Sequence, residues 1–204
     1  MSVPRIRCEM IATHPSFVAL SQIDGILVDL RYASARNVFG RDVYAGLDCA
    51  WAHVDAAKAL ERSVAWLRVH APGFQLLVLD ALRPHRVQQT LWDELQDPRL
   101  RSYLADPQRG SIHSYGLAID ATLVDPAGRE VDMGTAFDAM TELSHPALED
   151  RFLASGELQD HHVANRTRLR SAMRAGGFDG IRQEWWHFDL HDRELVRAQG
   201  LRVD

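Results

Sequence analysis

The run GLAIDATLV, residues 116–124, constrains the fold more than any other stretch of the chain. Leu117, Ile119, Ala121 and Leu123 alternate with Ala118, Asp120 and Thr122, the two-residue period of a strand. Asp120 therefore sits midway along an apolar-patterned strand. An unpaired carboxylate buried there costs several kcal/mol, so it needs a cation, and the choices are a metal ion or an arginine. Whatever this chain folds into must bring that cation to residue 120.

The surrounding pattern supplies the frame. ILVDLRYA (26–33) reads as a strand followed by loop to about residue 46, and FQLLVLDAL (74–82) has the continuous apolar run of a buried strand. Leu60, Val64 and Leu67 recur at helical spacing between Ala52 and His70, where Pro72-Gly73 stops the helix. Pro84 suits a helix start with Val87, Leu91 and Leu95 on one stripe, and 97–110 reads as loop. The stretch from 132 to about 162 looks irregular. A helix over 163–175 ends at Gly176-Gly177, and a short helix follows from Arg193. Strands and helices alternate without a βαβ rhythm, so the expected class is α+β, a small, mostly antiparallel sheet with flanking helices. The 204 residues suit one domain over 1–204.

Composition narrows the function classes. With 28 acids against 23 bases and a formal charge of −5, there is no basic field for a phosphate backbone, so no nucleic-acid partner is expected. No apolar run approaches the roughly 20 residues of a membrane span. The N-terminal MSVPRIRCEMIATHPSF lacks an apolar h-region, which points to the cytoplasm. Cys8 and Cys49 are too few for a disulfide framework and read as free thiols. GxGxxG, Walker and GxSxG motifs are missing.

Ten histidines offer candidate ligands, and spacing must choose among them. In GSIHSYGLAID (110–120) a turn ending at Gly116 can swing His113 back over Asp120. QEWWHFDL (183–190) adds His187. Two imidazoles and a carboxylate, with one position open, are the ligand count of a catalytic zinc. A lone histidine on a strand is more commonly an ordinary hydrogen-bonded residue, so the argument rests on the set. Glu184 is the natural general base. Strict alternation, however, puts Glu184 on the row of Trp186, Phe188 and Leu190, away from His187, so a bulge or a strand start at Trp185 is required. Trp186 reads as core and Trp185 as a wall of the site. Arg83, just before a helix N-terminus, either faces a substrate carboxylate or developing oxyanion or pairs with an acid such as Asp80. His85, Arg86, His161, His162 and His191 read as surface residues.

Ser111-x-His113-x-x-Gly116-x-Ala118-x-Asp120 followed by Glu184-Trp185-Trp186-His187 resembles the D-alanyl-D-alanine dipeptidases, zinc peptidases related to D,D-carboxypeptidases and to the hedgehog signalling domain. The likeness extends to VDLRYA (28–33), Asn37 with Phe39-Gly40 and Val43-Tyr44, Asp80-x-x-Arg83-Pro84, Met133-Gly134-Thr135-x-Phe137-Asp138 and Asn165-Arg166. It implies a hedgehog/D,D-peptidase-like fold and one Zn2+ per chain on His113, Asp120 and His187. It further implies Glu184 as base, Arg83 stabilising the transition state, and Asp138 and Tyr32 near the substrate amino group in a small site for dipeptides. Ile112 and Tyr115 depart from the polar residues common in such enzymes, which bears on side-chain preference rather than on metal chemistry. The rival readings are a D,D- or L,D-carboxypeptidase of peptidoglycan stem peptides and a non-catalytic, zinc-stabilised binding module.

Overall fold

The two apolar strands become the centre of one sheet. In the computed structural model, which describes residues 4–204, the N-terminal region holds β1 (Arg5–Ile6), β2 (Phe17–Ala19), β3 (Ile26–Val28) and β4 (Trp51–His53). Then come α1 (Val54–His70), β5 (Gln75–Asp80), α2 (His85–Glu94), the short α3 (Pro98–Arg101) and β6 (Ala118–Val124). The C-terminal part runs through α4 (Glu149–Ser155), α5 (Asp160–Gly176), β7 (Phe178–Gly180), β8 (His187–Leu190), α6 (Arg193–Gln199) and β9 (Arg202–Val203). The first three residues of the N-terminal stretch discussed above lie outside the described residues.

The main sheet has the order β3-β5-β6-β8-β7. Only β3 and β5 pair in parallel, and the other three ladders are antiparallel, so the expected α+β class with a mostly antiparallel sheet holds. Every residue of β6 is buried, on both faces, as is all of β5 beyond Gln75. The helices α1 and α5 pack on each other and against this pair, burying Leu60, Val64 and Leu67 with Leu169, Ala172 and Met173. Their approach is close enough that a Cβ on Gly176 would overlap Ser63 Oγ and the Ala59 carbonyl oxygen. Two smaller ladders flank the sheet: β2 with β4, antiparallel, and β1 with β9, parallel. No helix among the described residues is long and apolar enough to cross a membrane.

Four expectations need correction. The 97–110 stretch is not loop throughout, since it carries the one-turn helix α3, capped by the Asp97 side chain. The 26–33 stretch is strand only to Val28 and then turns through a 3-10 segment, Arg31–Ala33. The turn tucks the Tyr32 ring inward to 2% exposure, which a straight strand at the sheet edge could not do. The 132–162 region is not irregular throughout, since it contains α4 and the start of α5. These segments bury few apolar residues, Phe152 among them, so their periodicity is weak. His162 is buried rather than at the surface, because its Nδ1 accepts the Gln159 N–H and so caps α5.

Candidate metal centre

Strand register makes the first contact. In the β6–β8 ladder Asp120 lies directly opposite His187, and the Asp120 carboxylate oxygen is 2.9 Å from His187 Nδ1. The third group arrives from a 3-10 turn, Ile112–Tyr115, closed by Gly116 in the left-handed region at φ 65°. This turn carries His113 back over the strand that follows it, placing His113 Nε2 3.2 Å from His187 Nδ1 and 3.4 Å from Asp120 Oδ1. With zinc bonds of about 2.0–2.2 Å, a tetrahedral site has ligand-to-ligand edges of about 3.3 Å. The observed triangle has that size.

Outer hydrogen bonds set the imidazole tautomers. His113 Nδ1–H donates to the Ala81 carbonyl at 2.7 Å, and His187 Nε2–H donates to Asp189 Oδ1 at 2.9 Å. Each ring thus turns a lone pair inward, onto the other ring and onto a carboxylate. Two lone pairs and a negative oxygen in a buried space attract a cation, and the donor set fits a divalent metal ion. Burial would raise the Asp120 carboxyl, but His113 and His187 hold it well below the usual range. Burial disfavours a charged His187, yet Asp189 and Asp120 push its pKa far above the ordinary value, so a metal ion binding there would free the inward lone pair by displacing a proton. Asp189, held in turn by Arg193, is a residue the sequence reading missed. Its signal was available, because a carboxylate two residues after His187 lies on the same strand face.

Glu184 escapes the alternation problem because β8 begins only at His187 and residues 182–186 are bent. Its side chain lines the same cavity of about 360 Å³ as His113, Asp120 and His187, and burial pushes its carboxyl up to about 8. Trp186 is core, as expected, and so is Trp185, but it is Trp186 that also walls the site. Trp186 lines this cavity, while Trp185 turns away, with Nε1–H donating to Thr135 Oγ1 at 2.8 Å. The bend sends the two indoles at right angles, ring centres 5.2 Å apart.

Arg83 makes the pair with Asp80 and also lines the cavity. Its Nε and Nη2 donate to Asp80 Oδ2 at 3.0 and 2.7 Å, while the guanidinium still faces the cavity, with Nη2 3.5 Å from Asp120 Oδ2. Nη1 donates to the Oε1 of buried Gln88, whose NH2 donates to the Ala105 carbonyl at 2.8 Å. Residues 102–106 of that loop form one cavity wall, and Tyr103 OH bridges to His145 Nε2 at 2.8 Å. On another wall, Tyr32 OH donates to Asp138, whose carboxylate also accepts the Val38 N–H. Burial pushes the Asp138 carboxyl up to about 6. Ile112 and Tyr115 are both buried, and Ile112 adds an apolar contact to the cavity.

A second group, Asp132 with His161 and His162, also gathers potential donors. Here His162 Nδ1 accepts a backbone N–H, so the neutral ring carries its proton on Nε2, 3.2 Å from Asp132 Oδ2. That is a capped helix start with a hydrogen bond rather than converging lone pairs.

Comparison with known proteins gives a concordant result. The family model described as D-ala-D-ala dipeptidase matches residues 14–201. The chain is 40% identical over 163 residues to a D-alanyl-D-alanine dipeptidase of Escherichia coli, covering 80% of this chain and 78% of that protein. It is 35% identical over 139 residues to the one from Enterococcus faecium (59% and 64% covered). To the one from Enterococcus faecalis it is 31% identical over 189 residues (83% and 88% covered).

Proposed function

The chain belongs to the D-ala-D-ala dipeptidase family, and we propose that it hydrolyses D-alanyl-D-alanine or a similar small D,D-dipeptide at one zinc ion held by His113, Asp120 and His187. On this reading residues 1–204 form a single catalytic domain. Zinc, when bound, supplies Lewis-acid polarisation of the scissile carbonyl and acidifies the attacking water.

The protein's own groups carry the remaining steps. Glu184 takes a proton from the attacking water and delivers it to the leaving amine. A carboxyl set near 8 by burial is too proton-hungry to be the ionised base at neutral pH, and a divalent cation held by His113, Asp120 and His187 would draw it down into its working range. Arg83 is held in one orientation by Asp80 and Gln88, so its charge meets the developing oxyanion without reorganisation. The Asp138 carboxylate, fixed by Tyr32 and the Val38 N–H, receives the substrate ammonium. Trp186 and the 102–106 wall exclude water and limit the cavity to a short substrate.

The observation that carries this reading is the pair of inward-facing imidazole lone pairs closed on Asp120 at zinc-site distances, with Glu184 lining the same cavity. The test is hydrolysis of a panel of D,D-, L,D- and L,L-dipeptides by zinc-loaded protein, beside a stem pentapeptide. D-Ala-D-Ala should be the preferred substrate. Glu184→Gln should keep stoichiometric zinc while turnover falls at least a thousandfold, and near-normal turnover in that variant would sink the base assignment.

A further inference from the structure

A second cavity, of about 440 Å³, meets the catalytic one at Ile181 and Glu184. Phe178, Trp185 and Phe188, with Pro146 and Ala147, supply the apolar part of its lining. Its rim carries Arg170, Arg174 and Arg182. Arg170 is already engaged, donating to both oxygens of Glu149. Among the described residues no ion pair or side-chain hydrogen bond engages Arg174 or Arg182. That is unusual in this chain, where acids outnumber bases and even exposed arginines such as Arg99, Arg129 and Arg151 hold carboxylates.

A pocket of this size, of mixed polar and apolar lining and with two unpaired guanidinium groups beside its aromatic side chains, has the make-up of a ligand site. The arginine fork matches a carboxylate in charge and in planar geometry, and the aromatic side chains reward an apolar body behind it. The segment 180–184 separates the two cavities and carries Glu184. We propose that the second cavity binds small organic monocarboxylates with an apolar body, and that occupancy changes turnover through the segment bearing Glu184. The turnover part rests on the catalytic reading above, whereas the binding part does not.

The probe is hexanoate, titrated into the metal-loaded protein by calorimetry and into initial-rate assays on D-Ala-D-Ala, with inorganic phosphate as a second arm. Hexanoate should bind with a dissociation constant of about 1 mM or tighter and shift kcat at least twofold with little change in KM. The Arg174→Gln, Arg182→Gln double variant should bind hexanoate at least tenfold more weakly, with basal kcat and KM unchanged. These are exposed side chains, so the variant should fold. Equal binding by the double variant, or no binding heat, overturns the site. A rise in KM alone means that hexanoate competes in the catalytic cavity, which also overturns it. Phosphate binding as well as hexanoate overturns the role of the aromatic side chains, and binding with unchanged kcat overturns the effect on turnover. Arginine-dependent binding to a protein that hydrolyses no dipeptide would remove the catalytic reading while leaving the site intact.

Discussion

Asp138 sits at φ 64°, closed over by Tyr32 and the Val38 N–H, and burial lifts its carboxyl to about 6 from an ordinary value of 3.8. A raised carboxyl keeps its proton in the folded chain while the unfolded chain has lost it. Stability therefore falls as pH rises from about 4 to 6, by as much as about 3 kcal/mol for a shift of two units. Asn tolerates the left-handed backbone, so Asp138→Asn should unfold at an equal or higher temperature at pH 7 while KM for D-Ala-D-Ala rises tenfold or more. In the unsubstituted enzyme kcat/KM should decline as pH falls through about 6, when Asp138 becomes neutral, and this limb should vanish in Asp138→Asn. Asp189 is the other residue with a separable effect. Asp189→Asn should weaken zinc affinity about 10- to 100-fold in competition with a chromophoric chelator, because His187 loses the acceptor that orients its ring.

At the scale of elements, the site depends on a turn that doubles back. Gly116 lies at φ 65°, and a Cβ there would meet the His53 amide nitrogen at 2.8 Å and the Phe17 ring at 3.1 Å. Gly116→Ala should cost about 1–3 kcal/mol of stability, read by denaturant unfolding, and should lower zinc affinity as His113 shifts off Asp120. The turn was legible in sequence, since a uniform strand would have put residues 113 and 120 on opposite faces. The bend over 182–186 was legible only as a demand, and its form was not. Two adjacent indoles can be read as strand residues, and only the Thr135 hydroxyl and the packing around it send Trp185 away from the cavity. The acceptor of His113 was illegible for a plainer reason: a backbone carbonyl, that of Ala81, carries no side-chain signature.

For the whole molecule, removing the metal is the broadest test. Chelation should abolish hydrolysis and lower the melting temperature by about 10 °C, since a ligand at a thousand times its dissociation constant adds about 4 kcal/mol of stability. An unchanged melting temperature would mean that the three donors hold no metal in the folded state. The class of the fold and the centre of its sheet followed from two apolar runs, whereas α4 and the true start of α5 did not, because helices that bury few apolar residues leave little period to read. The ladder of β1 with β9 was equally silent, each strand being two residues long. It joins the two ends of the described chain in parallel, reinforced by bonds from Cys8 N–H to the Asp204 carbonyl and from Asp204 N–H to the Ile6 carbonyl. Tension applied to the two ends would pull parallel neighbours past each other along their length, loading these hydrogen bonds together in shear instead of peeling them one by one. The smallest ladder among the described residues is thus placed where a load on those two ends would be met first.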